Sequence, residues 1–199
     1  EKFVAPPIAK GKIDPRATVE EKLRTLAKIL DKPVSEITVF ALEKPRHNEL
    51  VDRIHTLGAR VALYPAGDVA GALMAAIPDS GIDALVGTGG TPEGILSACA
   101  IRTLGGEFQA RLDPQLPSEV TAVKKAGLDT SRWLSVEDLV RSETVYFAAT
   151  GITTGLLFDG VERARGIERT QTLLISGITG ERQILTTYHS LNGIARGGR

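Results

Sequence analysis

From about residue 18 to about residue 150, segments of helical periodicity alternate with short apolar runs of strand length. That alternation constrains the chain more than any other feature. Neighbouring parallel strands cannot be joined by a hairpin and need a crossover, usually a helix, so the rhythm predicts an α/β domain on a largely parallel sheet with helices on both faces. Thr18-Val19-Glu20-Glu21 has capping-box spacing, and Leu23, Leu26, Ala27 and Leu30 follow at helical intervals. The first helix should therefore end near Asp31, before Pro33. An apolar run at 37–42 reads as a buried strand, followed by a loop at 43–47 and a helix carrying Leu50, Val51, Ile54 and Leu57 that stops at Gly58. Strand 60–64, turn 65–68, a small-residue helix at 69–77, strand 83–86, a glycine-rich loop at 87–94 and helix 95–104 continue the pattern. Residues 105–116 are punctuated by glycine and proline and carry no clear element. Short helices are expected at 119–126 and 136–141, then a last core strand at 144–149 that runs into the loop 150–155.

Past Gly166 the pattern becomes strand-like at 170–176 and 183–189, joined across Thr179-Gly180, which predicts an antiparallel hairpin outside the α/β unit. The expected organisation is an opening segment at 1–17, an α/β substrate-binding domain at 18–165, a hairpin at 166–191 and a disordered tail at 192–199. The chain opens on Glu1 without an initiator methionine, and its one methionine is Met74, so a preceding part is expected to have been removed or left out.

Composition narrows the function classes. The 24 basic and 24 acidic residues cancel, so no overall field favours nucleic acid or an anionic membrane, and an anionic ligand must be gripped locally. No apolar stretch approaches the ~20 residues of a membrane span, and no signal core follows the N-terminus. Cys99 is the single cysteine, without a disulfide partner in the chain, which fits a reducing cytoplasm.

In parallel α/β sheets ligands bind at the carboxyl ends of strands, where helix N-termini gather. Four loops occupy such positions: 43–47, 65–68, 87–94 and 150–155. Lys44 and Arg46, held apart by Pro45, can present a point charge and a planar fork to phosphate oxygens, or form a solvated basic loop. His47 is either an acid or base or a helix-start residue. Asp68 either bonds sugar hydroxyls or caps the next helix. The loop Gly87-Thr88-Gly89-Gly90-Thr91-Pro92-Glu93-Gly94 matches neither the dinucleotide fingerprint nor the P-loop. Its Glu93 would repel a phosphate unless a divalent cation lay between them; the alternative is a residue that complements the helix dipole.

As an ordered set, Lys44-Pro45-Arg46-His47, Gly67-Asp68-Val69, Gly89-Gly90-Thr91-Pro92-Glu93-Gly94 and Ala148-Ala149-Thr150-Gly151-Ile152-Thr153 resemble the motifs of the class II fructose-1,6-bisphosphatases. The opening residues 1–14 and the hairpin ending Tyr188-His189 share the likeness. The resemblance implies a layered α/β/α sugar-phosphatase fold and a cytoplasmic enzyme of gluconeogenesis that removes the 1-phosphate of fructose 1,6-bisphosphate with Mg2+ or Mn2+. Sedoheptulose 1,7-bisphosphate or another sugar or inositol phosphate is the neighbouring substrate class. It further implies that Lys44, Pro45, Arg46, Ala66, Gly67, Asp68 and Gly90 contact substrate and that Glu93 ligates metal. The implied partners are a small sugar bisphosphate and, among macromolecules, further copies of the chain in a homo-oligomer; neither nucleic acid nor membrane is called for.

The family's other metal carboxylates, and the threonine near its attacking water, belong to a preceding half that no segment here resembles. Catalytic residues are therefore expected outside this chain, and the chain alone should be inactive. Two departures stand out: Ala66 where the family usually has aspartate, and Leu156-Leu157-Phe158 where it usually has Asp-Leu-Leu. The reading from a different class is a non-catalytic sugar-phosphate-binding domain that keeps the substrate loops.

Overall fold

The computed structural model describes residues 1–190 and contains two sheets separated by a layer of helices. The central sheet is built from β1 (Lys2–Ala5), β2 (Thr38–Leu42), β3 (Arg60–Tyr64), β4 (Ala84–Gly87), β5 (Glu107–Ala110) and β6 (Leu134–Ser135), in the order β3-β2-β4-β1-β5-β6. Strands β2, β3 and β4 are parallel neighbours, and β5 runs the same way; β1 lies antiparallel between β4 and β5, and β6 is an antiparallel edge.

Alternate side chains of these strands enter opposite faces, as the pleat requires. Phe3, Ala5, Val39, Ala84 and Val86 pack with Leu23, Leu26 and Ile54 from α1 (Val19–Ile29) and α2 (Asn48–Leu57). Val4, Phe40, Leu42, Leu85 and Phe108 pack with Ala72, Ala75, Ala98 and Ile101 from α3 (Asp68–Ala76) and α4 (Thr91–Leu104). Burial on both faces is what makes these strands near-continuous apolar runs. Gly71 sits where α3 crosses β2, since a Cβ there would lie 2.4 Å from the Phe40 ring, itself stacked on Tyr64 with centroids 5.0 Å apart.

The outer face of α3 and α4 carries the second sheet: β7 (Tyr146–Thr150), β8 (Glu162–Ala164), β9 (Ile167–Ser176) and β10 (Arg182–Ser190), all paired antiparallel through β9. Leu73 and Ala100 from the helices meet Leu173 and Ile175 of β9. The layers are therefore α, β, α, β, with the expected hairpin present as β9 and β10. Residues 191–199, which include the expected tail, lie outside the described residues.

Several expectations need correction. The strand expected at 144–149 to close the core sheet is β7 of the second sheet, paired with β9. The opening segment supplies β1, which lies in the middle of the central sheet with all four residues buried. The unassigned stretch at 105–116 holds β5. The glycine-rich loop is shorter than expected: α4 starts at Thr91, with Gly90 as N-cap and Pro92 in the first turn, where its missing N–H costs nothing. Leu156, one of the departures, packs into the core beside Gly67, while Leu157 and Phe158 pack against the second sheet.

Local signals hold elsewhere. Thr18 and Glu21 form the capping box of α1, and Gly58 ends α2 in the left-handed conformation at φ 92°. Arg53 of α2 grips Glu20 of α1 through two hydrogen bonds of 2.8 and 2.7 Å, which hold that carboxyl down at about 2. Lys22 is buried with its ammonium 5.2 Å from the Phe3 ring centre and 4.0 Å from that of Trp133; burial pushes its pKa down to about 8. No helix among the described residues is long and apolar enough to cross a membrane.

Candidate substrate site

Because β3, β2 and β4 are adjacent and parallel, the loops that follow them emerge side by side at one edge of the sheet. These are three of the four loops singled out from the sequence. The fourth, 150–155, follows β7 of the second sheet.

After β2, Lys44 precedes a single turn of 3-10 helix at Pro45–His47. Proline fixes the first turn, leaving Pro45 and Arg46 exposed and Lys44 half-buried. The Arg46 Nε–H donates to the Thr88 carbonyl at 2.8 Å, which ties this loop to the glycine-rich one. Lys44 borders a separate hollow of about 240 Å³ with Glu43, His47 and Asp52, at the flank of the site.

His47 is buried, and its ring joins the ends of β2 and β4. Nε2 lies 2.9 Å from the Thr88 nitrogen and 3.1 Å from the Thr88 carbonyl oxygen, and Nδ1 lies 2.8 Å from the Leu42 carbonyl oxygen. The buried ring thus links the loop after β2 to the loop after β4. The Thr88 hydroxyl donates to Asp113 at 2.6 Å and so brings the segment after β5 to the same edge.

After β3, Gly67 is the N-cap of α3 at φ 102°, a conformation that favours glycine. Asp68 is the first residue of α3, where a negative charge suits the helix dipole, and its Oδ2 accepts from the Lys2 ammonium. Ala66 is exposed and offers only its backbone.

After β4, Gly89 and Gly90 lie exposed above this pair. A Cβ on Gly89 would sit 3.0 Å from Asp68 Oδ2, and one on Gly90 would sit 2.2 Å from Glu93 Oε2. Glu93 is the third residue of α4, and its exposed carboxylate folds back toward the helix N-terminus. There it complements the dipole, and among the described residues it has no hydrogen-bond donor. No group of three His, Cys, Asp or Glu side chains suited to a metal occurs among the described residues. Glu93 is thus a hard oxygen donor of the kind Mg2+ or Mn2+ takes, and it belongs to no such group among the described residues.

Beside the loop lies a cavity of about 330 Å³ bordered by Lys2, Gly89, Gly90, Thr91, Arg111 and Asp113, with apolar walls from Ile95, Val123 and Leu139. Lys2, Thr88 and Asp113 escaped the sequence reading. Thr88 lies inside the glycine-rich loop and Lys2 in the opening segment that shares the family likeness, but neither was distinguished there by its own chemistry.

The structure thus gathers Arg46, Asp68, Gly90 and Glu93 around residues 88–90, with Gly67 and Ala66 on the neighbouring strand end and Lys44 and Pro45 at the rim. Residues 1–189 match the family described as bacterial fructose-1,6-bisphosphatase, glpX-encoded. The chain is 39% identical to the fructose-1,6-bisphosphatase class 2 of Haemophilus influenzae, over 98% of this chain and 62% of that protein. It is 40% identical to the D-fructose 1,6-bisphosphatase class 2/sedoheptulose 1,7-bisphosphatase of Thermosynechococcus vestitus, over 95% and 58%. With the fructose-1,6-bisphosphatase 1 class 2 of Escherichia coli it shares 38% identity, over 96% and 61%. The chain spans about three-fifths of the length of these relatives.

Proposed function

The chain belongs to the family of bacterial, glpX-encoded fructose-1,6-bisphosphatases, and on that premise we propose that it forms the substrate-binding portion of a metal-dependent phosphatase. The reaction is hydrolysis of the 1-phosphate of fructose 1,6-bisphosphate to give fructose 6-phosphate. One observation supports the reading: three loops with basic and acidic side chains leave adjacent parallel strands at a single edge, beside the N-termini of α3 and α4.

Each residue has a task that its surroundings support. Arg46 uses Nε on the Thr88 carbonyl, which orients its guanidinium and leaves the Nη groups for phosphate oxygens. Lys44 adds a mobile positive charge at the rim. Asp68 accepts from sugar hydroxyls, and the Gly67 and Gly90 backbones allow close approach of the sugar. Glu93 holds one position on a divalent cation, Mg2+ or Mn2+, which when bound would neutralise phosphate oxygens and lower the pKa of an attacking water. A single carboxylate cannot assemble a cation site, so the 199-residue chain on its own is expected to release no phosphate. A cytoplasmic location belongs to the same proposal.

The test is phosphate release from fructose 1,6-bisphosphate by the full-length gene product with Mg2+ or Mn2+. Glu93→Ala should lower turnover about 100-fold or more while changing stability by only ~0.5 kcal/mol. Turnover unchanged in that variant would return Glu93 to a dipole role alone. No release with any divalent metal would favour the non-catalytic sugar-phosphate-binding domain. The relative from Thermosynechococcus vestitus is named for both bisphosphates, so sedoheptulose 1,7-bisphosphate is the second substrate to assay.

A further inference from the structure

We propose that Lys2 is a positioning residue of this site: its ammonium fixes one oxygen of Asp68 so that the other accepts a sugar hydroxyl. The inference rests on the reading of Asp68 as a substrate residue.

Lys2 begins β1, and because β1 runs antiparallel between β4 and β5, its first residue arrives at the edge where the neighbouring strands end. Its register partners are Gly87 and Ala110. The Lys2 side chain is 4% exposed and that of Asp68 is 15% exposed, so the pair is largely shut off from water. Asp68 Oδ2 is engaged by Lys2, and among the described residues no donor reaches Oδ1. Gly89 lies directly over the pair: a Cβ there would be 3.0 Å from Asp68 Oδ2 and 3.7 Å from Lys2 Nζ. Any side chain at 89 would cover the carboxylate, and glycine leaves it open to a ligand under the loop. Lys2 also borders the 330 Å³ cavity beside Gly89 and Gly90.

Stability is a weak reason for such a pair. Desolvating two charges offsets most of their attraction, and apolar substitutes commonly serve the fold as well. Orientation is the stronger reason. Asp68 is the only ionisable side chain in the turn 65–68, and among the described residues the hydrogen bond of its carboxylate is the one to Lys2. Without Lys2 its carboxylate would rotate among several positions, and part of the substrate's binding free energy would go into fixing it.

A double-mutant cycle in the full-length protein tests this, with turnover of fructose 1,6-bisphosphate as the readout. Lys2→Met should raise KM about 10- to 100-fold, the range for a lost hydrogen bond to a charged group, with kcat within about threefold. Lys2→Arg, which keeps a cation, should recover most of that loss. Added to Asp68→Asn, Lys2→Met should change KM by less than about twofold, because Lys2 acts only through Asp68. If a lone buried charge prevents a single variant from folding, the Lys2→Met/Asp68→Asn protein, which has neither charge, is compared with wild type and should show raised KM and near-normal kcat. Unchanged KM in Lys2→Met or in the double variant, multiplicative effects of the two substitutions, or a loss confined to kcat would overturn the inference. A wild-type protein that turns over no substrate would instead tell against the phosphatase reading. The same cycle is then read as ratios of Kd for fructose 6-phosphate by calorimetry, with the same outcomes deciding for or against Lys2.

Discussion

The two sheets differ in what covers them. The central sheet has α1 and α2 on one face and α3 and α4 on the other, and Phe3, Val4, Val39, Phe40 and Leu85 are buried in alternation between those faces. The second sheet has one covered region, where Leu173 and Ile175 of β9 meet α3 and α4, while every residue of β10 is exposed. The candidate site draws on the first sheet alone. Its loops gain their precision from strands pinned on both faces, and the second sheet acts at a distance, by backing the two helices whose first turns present Asp68 and Glu93.

The largest effect should come from the doubly covered sheet. A Cβ at position 71 would lie 2.4 Å from the Phe40 ring, which is fully buried and stacked on Tyr64, so the ring has nowhere to move. Gly71→Ala is expected to lower stability by about 3 kcal/mol, the upper part of the usual range for overpacking a core. Denaturant unfolding of the chain measures it. A loss below ~1 kcal/mol would mean that α3 slides easily over β2, and the claim that both faces are rigidly held would fall.

How far the sequence revealed this arrangement depended on how local each signal was. Strand 60–64 and the stop at Gly58 are where periodicity and glycine put them, because helix period, capping and left-handed glycine are written within a few residues. β1 and β5 were not legible. Each has four residues, and each is defined by pairing with the other across about a hundred residues, for which no periodicity exists. β7 was seen as a strand but assigned to the wrong sheet for the same reason. The site divides along the same line. Arg46, Asp68, Gly90 and Glu93 lie in loops whose glycine, proline and charge make them conspicuous, whereas Lys2 is a single lysine before an apolar run, and only the insertion of β1 beside β4 gives it meaning.

A smaller effect should separate the two sheets by pH. Lys22 is buried against the central sheet, with an ammonium pKa of about 8 against 10.5 when unfolded, chiefly because burial disfavours the charged form. Below pH 8 both states hold the proton and the full cost of the buried charge is present. Between pH 8 and 10.5 the unfolded chain binds more protons, so stability rises with pH, and above that it levels. The faces of Phe3 and Trp133 return part of the cost, leaving about 2 kcal/mol. Lys22→Met should therefore be more stable than wild type at pH 7, with the difference shrinking between pH 8 and 10.5 and constant above that window. A difference that stays constant across that window would show that the charge of Lys22 is not what costs stability.

The smallest effect is expected on β10, where Ile184 is 59% exposed and Tyr188 68%. Ile184→Thr keeps a β-branched side chain and should alter the stability of this chain by less than ~0.5 kcal/mol. Ile175→Ala, one strand away and 1% exposed, should cost about 2 kcal/mol, the low end for a site covered on one side. The contrast is sharpest when both substitutions are also made in the full-length gene product. If Ile184→Thr remains neutral there, the second sheet works solely through β9, as a prop for α3 and α4. A cost above ~1.5 kcal/mol would place Ile184 against chain outside these 199 residues. β10 would then be covered like the strands of the central sheet, and the difference between the two sheets would belong to this portion of the protein alone.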